Sequence, residues 1–333
     1  MALELLVLNY NGRALLAACL PSVVAAARRS SRPCQVAVVD NGSTDESLDW
    51  LRETYPQVRI ESCPNRGLCS YNEVVARSSA DVAVLLNNDV RLAEDALDPL
   101  VAPLVDDNPA FDPNCFLTAP RCYRGDGCTH EGEKTAVRWR WGLIQGTAYF
   151  SGHEQVADRA DWTAAAGCAF AVRRDRFLAL GGFDPLYLPG RLEDLDLGYR
   201  GFAAGWHARY VPEAVAYHEG AGSFGPAFGA AGCDALAWRN TLLFQWKHLR
   251  HPWHRLRGAC GVAARVARDA ISAPGAGPAA RFAFTRALRD AWRLRPEART
   301  SAYRTTTSLE TERRFFARFH PRQLASSAER SAA

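Results

Sequence analysis

Three runs of consecutive apolar residues stand out early in the chain: Leu5-Leu6-Val7-Leu8, Val36-Ala37-Val38-Val39 and Val82-Ala83-Val84-Leu85-Leu86. A shorter fourth run is Val58-Arg59-Ile60-Glu61. The three are brief and lack polar alternation, which predicts strands buried on both faces of a mainly parallel sheet. Helical spacing fills the intervals: Arg13 to Arg29, interrupted by Pro21, then Ser47 to Tyr55, then Ser70 to Ser79. Strands alternating with helices through short links imply βαβ units with right-handed crossovers, hence an α/β class with helices on both faces of the sheet.

Each main run stops abruptly in polar residues. Asn9-Tyr10-Asn11-Gly12, Asp40-Asn41-Gly42-Ser43-Thr44-Asp45 and Asn87-Asn88-Asp89 all fall at carboxyl ends of strands, the edge where α/β sheets bind ligands. Asp89 with two amides beside it suits a divalent cation and the phosphates it bridges; a polar turn opening the next element is the plainer reading. Asp40 suits a carboxylate accepting hydrogen bonds from a base or ribose, or else a helix-cap aspartate. No GxGxxG follows the first strand and no GxxxxGK[ST] occurs, which argues against a dinucleotide Rossmann enzyme and a P-loop NTPase.

Beyond Asp106 the pattern loosens until Trp162. In that stretch Cys115, Cys122, Cys128 and His130 raise a zinc reading, but their spacing matches no common site, and free thiols fit better. Trp139-Arg140-Trp141 is packing or an acceptor-facing wall. Arg173 to Leu180 reads as a short helix stopped by Gly181-Gly182, and Phe183-Asp184-Pro185 as a turn. Glu193-Asp194-Leu195-Asp196-Leu197 then opens a helix reaching about Ala204. Three carboxylates in four residues are either an N-terminal cluster favoured by the helix dipole or a site where mutual repulsion raises one pKa for general-base work. Ala208 to Pro212 is a strand, followed by Val215 to His218; a lone histidine there is structural or a ligand. Gly220 to Gly225 is flexible enough for a lid.

The net charge of +4 hides an asymmetry. From Leu236 onward 19 Lys or Arg face 6 Asp or Glu, a net of +13, which leaves −9 on the first 235 residues. This tail is helical by pattern, rich in Trp and Phe, and broken at Ala273-Pro-Gly-Ala-Gly-Pro278. Its composition fits peripheral contact with an anionic membrane, or a solvated face on helices packed against the body. No nucleic-acid motif accompanies the charge. The ten cysteines form no CxxC pair, no basic leader precedes the first strand, and no apolar run is long enough to span a bilayer, so a reducing cytoplasm is the expected setting.

Taken in order, Leu8-Asn9-Tyr10-Asn11-Gly12, Val38-Val39-Asp40-Asn41-Gly42-Ser43-Thr44-Asp45, Asn65-Arg66-Gly67, Leu86-Asn87-Asn88-Asp89, Gly181-Gly182-Phe183-Asp184 and Glu193-Asp194-Leu195-Asp196-Leu197 resemble family 2 glycosyltransferases of the GT-A fold, especially bacterial rhamnosyltransferase-like members. The resemblance spans about Leu3 to Gly225. It implies a Rossmann-like mixed sheet and inverting transfer from a nucleoside-diphosphate sugar, dTDP-rhamnose or a UDP-sugar, to a hydroxyl of a glycan or lipid-linked glycan. Asp40 would bind the base or ribose, with Asn9, Asn65, Arg66, Asn72 and Asn88 around the nucleotide. Asp89 would be the principal ligand of Mg²⁺ or Mn²⁺, since Asn87 stands where the family's motif has its first carboxylate, and His218 would be a further ligand. Asp194 matches the catalytic base, beside Glu193, which shares the catalytic centre or contacts an acceptor hydroxyl. The expected division is a nucleotide-sugar half at 1–105, an acceptor half at 106–235 and a basic helical region at 236–333. The rival readings are a sugar-phosphate nucleotidyltransferase, which lacks its Gly-rich loop and Lys here, and a non-catalytic sugar-binding module.

Overall fold

The computed structural model describes residues 1–132, 134–220, 224–272, 281–305 and 307–326. The elements run β1 (Leu3–Asn9), α1 (Arg13–Arg29), β2 (Cys34–Asp40), α2 (Ser47–Thr54), β3 (Arg59–Ser62), α3 (Ser70–Arg77), β4 (Val82–Asn87), β5 (Val90–Leu92) and α4 (Leu97–Val101). Next come β6 (Cys115–Arg124), β7 (His130–Gly132), β8 (Ala136–Arg140), β9 (Leu143–Thr147), β10 (Asp161–Thr163), β11 (Ala169–Arg173), α5 (Arg174–Ala179), α6 (Glu193–Ala203) and β12 (His207–His218). The chain closes with α7 (Phe224–His248), α8 (Pro252–Ser272), α9 (Ala283–Thr300), α10 (Leu309–Arg318) and α11 (Pro321–Ser326).

Among the described residues ten strands form one sheet, with the path β10-β12-β6-β11-β4-β1-β2-β3, β5 on β12 and β7 on β6. The β3-β2-β1-β4 half is parallel, as the unbroken apolar runs predict. The other half is mixed: β11 runs antiparallel to β4, while β12 runs parallel to β6. The two faces of β1 feed separate cores. Leu3, Leu5 and Val7 join Leu16, Leu20 and Val23 of α1, whereas Leu6 joins Tyr71, Val74 and Val75 of α3.

Several elements depart from the sequence reading. Helix α1 continues through Pro21, because the ring removes one hydrogen bond and the remaining apolar stripe is buried. Val211 and Val215 belong to one strand: a register shift absorbs Pro212 and carries β12 on to His218. The loose stretch after Asp106 forms β6, β7, the β8–β9 hairpin and β10. The Gly220 to Gly225 lid and the Ala273 to Pro278 break lie largely or wholly outside the described residues.

The basic C-terminal helices pack on the body. Leu242, Leu243 and Phe244 of α7 and Phe315, Phe316 and Phe319 enclose Leu195 and Tyr199 of α6 in a third apolar core. Gly198 lets α6 approach closely, since a Cβ there would lie 2.0 Å from the Ala164 carbonyl oxygen. Among the described residues no helix is long and apolar enough to cross a membrane.

Candidate active site

Parallel register aligns Asn9 with Asp40 and Leu8 with Asn87 across the carboxyl edge of the sheet. Asn9 Nδ2 donates to Asp40 Oδ1 at 3.2 Å and to Ser43 Oγ at 3.1 Å. Asn88 Nδ2 in turn donates to Asn9 Oδ1 at 2.9 Å. Gly12 is needed beside them, because a Cβ there would sit 2.0 Å from Asn88 Nδ2. Asp40 is 1% exposed, and Oδ2 accepts from the backbone N–H groups of Gly42 and Ser43 at 3.1 and 2.9 Å. It therefore shapes the wall of this edge by holding the Gly42–Ser43 turn, and presents no free carboxylate oxygen.

The other residues expected around the nucleotide divide. Asn65 and Arg66 are exposed at the same edge; Asn65 Oδ1 accepts from Gly67 N at 3.2 Å, and Arg66 pairs with Glu73 at 2.7 Å. Asn72 has both ends of its amide on the Phe183 backbone, each at 2.8 Å. Asn72 thus ties α3 to the Gly181–Phe183 turn, with one N–H and one oxygen lone pair engaged there.

The link between β4 and β5 buries Asp89, which is 3% exposed. Antiparallel pairing of β5 with β12 sets Val90 opposite His218 and so delivers the histidine to this carboxylate. His218 Nε2 lies 3.2 Å from Asp89 Oδ2, and its Nδ1 lies 2.9 Å from Glu131 Oε2 on β7. Burial depresses the His218 pKa, but the hydrogen bond and charge of Asp89, with the charge of Glu131, outweigh it and push the imidazole up to about 9. Asp89 Oδ1 is buried with no hydrogen-bond partner among the described residues. An orphaned carboxylate oxygen of this kind fits a site that receives a cation.

Glu131 has no signal in the sequence; the neighbouring His130 drew attention through the zinc reading. The structure overturns that reading. Cys115 is buried within β6, Cys128 is exposed, and Cys122 Sγ faces Cys168 Sγ at 3.6 Å. Among the described residues no three His, Cys, Asp or Glu side chains are placed to hold a metal by themselves. Asp89 and His218 thus form a two-ligand corner that an oxygen-rich ligand would have to complete.

Glu193 and Asp194 begin α6, directly after Arg191 and Leu192, whose φ angles are +80° and +74°. Such backbone strain in bulky residues persists only where the surroundings hold it. Here Asn240 of α7 does so: its Nδ2 donates to the carbonyls of Tyr187, Gly190 and Arg191, each at 2.8 Å. Burial, then the Asp194 charge, push Glu193 up to about 8, and Glu193 Oε2 has no hydrogen-bond partner among the described residues. Burial also raises Asp194, whose Oδ1 accepts from Leu195 N at 2.7 Å. The turn at Gly67 packs against the loop that leads into α6, since a Cβ on Gly67 would lie 3.1 Å from the Pro189 carbonyl oxygen.

Asp196 plays a different part from the one its sequence neighbours suggest. Two residues further along the helix it turns into the core, where it is wholly buried. Arg200 Nε at 2.6 Å, Lys247 Nζ at 2.7 Å, His248 Nε2 at 2.7 Å and Tyr187 Oη at 2.8 Å surround it. Burial opposes its charge, but these cations and hydrogen bonds hold its pKa well below the usual range. His248 is pushed down to about 4 by burial, against the pull of Asp196, and so meets it as neutral imidazole near pH 7. Lys247 also reaches Asp184 Oδ2 at 2.7 Å. Asn240, Lys247 and His248 lie outside every motif that the sequence offered.

Residues 5–173, half of the chain, match the sequence profile of glycosyl transferase family 2. The chain belongs to that family. A relative from Mycobacterium tuberculosis, N-acetylglucosaminyl-diphospho-decaprenol L-rhamnosyltransferase, is 28% identical over 224 residues, covering 59% of this chain and 70% of its own. Among solved structures, GalNAc-T7 with UDP, GalNAc and Mn²⁺ superposes with a TM-score of 0.55 at 16% identity, over 96% of this chain and 56% of that one. S. aureus TarS 1-349 gives 0.54 at 12% identity, over 96% and 91%. At these identities the likeness is one of fold, and that fold is GT-A. This family 2 member is a glycosyltransferase, which sets aside the nucleotidyltransferase and binding-module readings. The family match stops at residue 173, so Glu193, Asp194 and helices α7–α11 lie beyond it.

Proposed function

We propose that this glycosyltransferase performs an inverting transfer from a nucleoside-diphosphate sugar, with dTDP-rhamnose or a UDP-sugar as donor, to a hydroxyl of a lipid-linked glycan. The observation that carries the reading is the Glu193–Asp194 pair, two carboxyls of raised proton affinity at the start of α6, just after the loop that packs on the donor-side turn at Gly67. A base that deprotonates a sugar hydroxyl needs raised affinity and a fixed position. Asp194 accepts the acceptor's proton as that oxygen bonds to the anomeric carbon. The bond from that carbon to the diphosphate breaks on the opposite face, and the configuration inverts. Glu193 holds the acceptor through a neighbouring hydroxyl.

Asp89 and His218 would hold Mg²⁺ or Mn²⁺; when bound, the ion neutralises charge on the departing diphosphate. The orphaned Asp89 oxygen supports this, as does the Mn²⁺ in the GalNAc-T7 structure. Asn9 and Asn88 line the donor edge with Asp40 behind them, and Asn65 and Arg66 flank its mouth. The acceptor in the mycobacterial relative's name, a diphospho-decaprenol, supports a lipid-linked substrate. We assign 1–105 to the donor, 106–235 to the acceptor, and 236–333 to contact with the inner face of the cell membrane. The test is thermal stabilisation by dTDP-rhamnose, UDP-sugars and GDP-sugars with Mn²⁺. A cognate donor at about 100 times its Kd stabilises by roughly 2.7 kcal/mol. No shift with any nucleoside-diphosphate sugar would overturn the donor assignment.

A further inference from the structure

A cavity of about 660 Å³ lies between α7, α8 and α9, on a part of the chain that the family match does not reach. Its apolar lining is Leu242, Leu249, Val262 and Leu288. Trp246 and Trp292 line it too, their ring centroids 5.9 Å apart and their planes perpendicular. Five arginines complete the lining: Arg250, Arg255, Arg295, Arg299 and Arg304. Among the described residues no Asp or Glu lines the space.

The Nε atoms of Arg250 and Arg295 are buried and have no hydrogen-bond partner among the described residues. Arg295 is pinned over Trp292, 4.4 Å from the ring centroid, and 5.4 Å from that of Trp246. Arg304 is fixed through the carbonyls of Lys247 and Arg299. Five guanidinium groups around one space, with no carboxylate in its lining, match a phosphate, which accepts paired N–H donors. The apolar lining matches hydrocarbon. The cavity reaches the surface at Trp292, which is 57% exposed.

We propose that this cavity binds the phosphate of a membrane lipid, with the arginines on the headgroup and the first carbons of the chain against Trp246, Trp292 and the leucines. It deepens the reading of 236–333 as the membrane-facing region by naming a built pocket in place of diffuse charge. Helix α7 links the pocket to the chemistry. Gln245, Trp246, Leu249 and Arg250 face the cavity, while Lys247 and His248 of the same turns hold Asp196 on the helix of the proposed base.

The test is co-sedimentation of the full chain with vesicles, without donor or metal, so that the result is independent of transfer. Phosphatidylcholine vesicles are compared with ones containing phosphatidic acid, and inorganic pyrophosphate is the soluble competitor. The cavity pair Arg295→Gln with Arg299→Gln is set against the surface pair Arg289→Gln with Arg293→Gln on α9, which removes the same charge. The expected result is a loss of phosphatidic-acid binding of about tenfold or more for the cavity pair and less than about threefold for the surface pair. Ala259→Trp, which fills the cavity and keeps every arginine, should also abolish the preference, and it carries the test if the double variant fails to fold. Equal losses for the two pairs would leave membrane contact standing through surface charge and overturn the pocket. Thermal stabilisation by pyrophosphate with no vesicle preference would overturn the lipid assignment in favour of a soluble anion.

Discussion

Lys247 and Asp196 meet in the interior with Nζ 2.7 Å from Oδ1, both side chains fully buried, one on α7 and the other on the helix that begins with Glu193 and Asp194. The same ammonium lies 2.7 Å from Asp184 Oδ2, to which Ser301 Oγ donates at 2.9 Å. One cation therefore joins the turn before α6, the helix itself and the C-terminal region. Lys247→Met would leave two buried carboxylates without it, and breaking a buried pair from one side costs about 3–5 kcal/mol. Urea denaturation should show a loss of that size; an unchanged midpoint would mean that the pair contributes nothing net. The folded pKa of Asp196 lies well below its usual 3.8, so its contribution is present above that value and is lost as the solution is acidified below it.

Glu193 has the opposite sign. Its usual pKa is 4.5 and its folded value about 8. Below 4.5 both folded and unfolded chains keep the proton. As the pH rises from there toward 8 the unfolded chain releases it first, so stability falls across that window and levels off above it. Glu193→Gln removes the penalty. The melting temperature should rise by an amount that is absent near pH 4 and fully developed at pH 8, corresponding to about 2 kcal/mol for a half-buried side chain. A gain equal at both pH values would show that the carboxyl is not held protonated.

The parallel half of the sheet was legible because the carboxyl-terminal stretches of β1, β2 and β4 are buried on both faces and run unbroken in apolar residues, and because their polar ends mark the ligand edge. The resemblance pointed to Asp89 together with His218, which lie 3.2 Å apart, and the pattern to a helix that opens with Glu193 and Asp194. What stayed hidden depends on long-range packing. Asn240 and Lys247 sit in a helix whose sequence carries no motif, and their partners lie dozens of positions away in the chain. Asp196 misled because charge counting along the sequence ignores the turn of a helix: two residues separate it from Asp194, but the rotation directs it into the core. The tie between Asn72 and the Phe183 backbone was hidden for the same reason, since only the folded turn shows it.

Asn240→Ala should act on positioning more than on stability. It removes three hydrogen bonds that hold the strained approach to α6. Misplacement of a base by about an ångström costs on the order of 10²-fold in rate. The expected result is a fall in kcat of about 10- to 100-fold, with little change in the KM for donor. A parallel rise in donor KM would point instead to collapse of the donor edge.

Asp194→Ala should abolish transfer and leave donor binding intact, because the residue acts on the acceptor hydroxyl. Loss of a general base lowers rates by about 10²–10⁴-fold. Single-turnover assays alongside donor titration separate the two effects. Turnover within about tenfold of the unaltered enzyme would move the base role to Glu193, whose Oε2 is buried without a hydrogen-bond partner among the described residues.

Asp89→Ala should have the complementary phenotype. Asp89 is the buried carboxylate with an orphaned oxygen, and His218 lies 3.2 Å from its other oxygen. With Asn87 in place of a second carboxylate, the corner offers two protein ligands, so metal and diphosphate should bind together and each poorly alone. Calorimetry should show Mn²⁺ binding that is weak without nucleoside diphosphate and strengthened by it, with both lost in the variant. Chelation by EDTA should stop transfer, and Mg²⁺ or Mn²⁺ should restore it. Full turnover in EDTA would give the pair a different role, in which His218, held protonated by Asp89 and Glu131, is itself the cation facing the departing diphosphate.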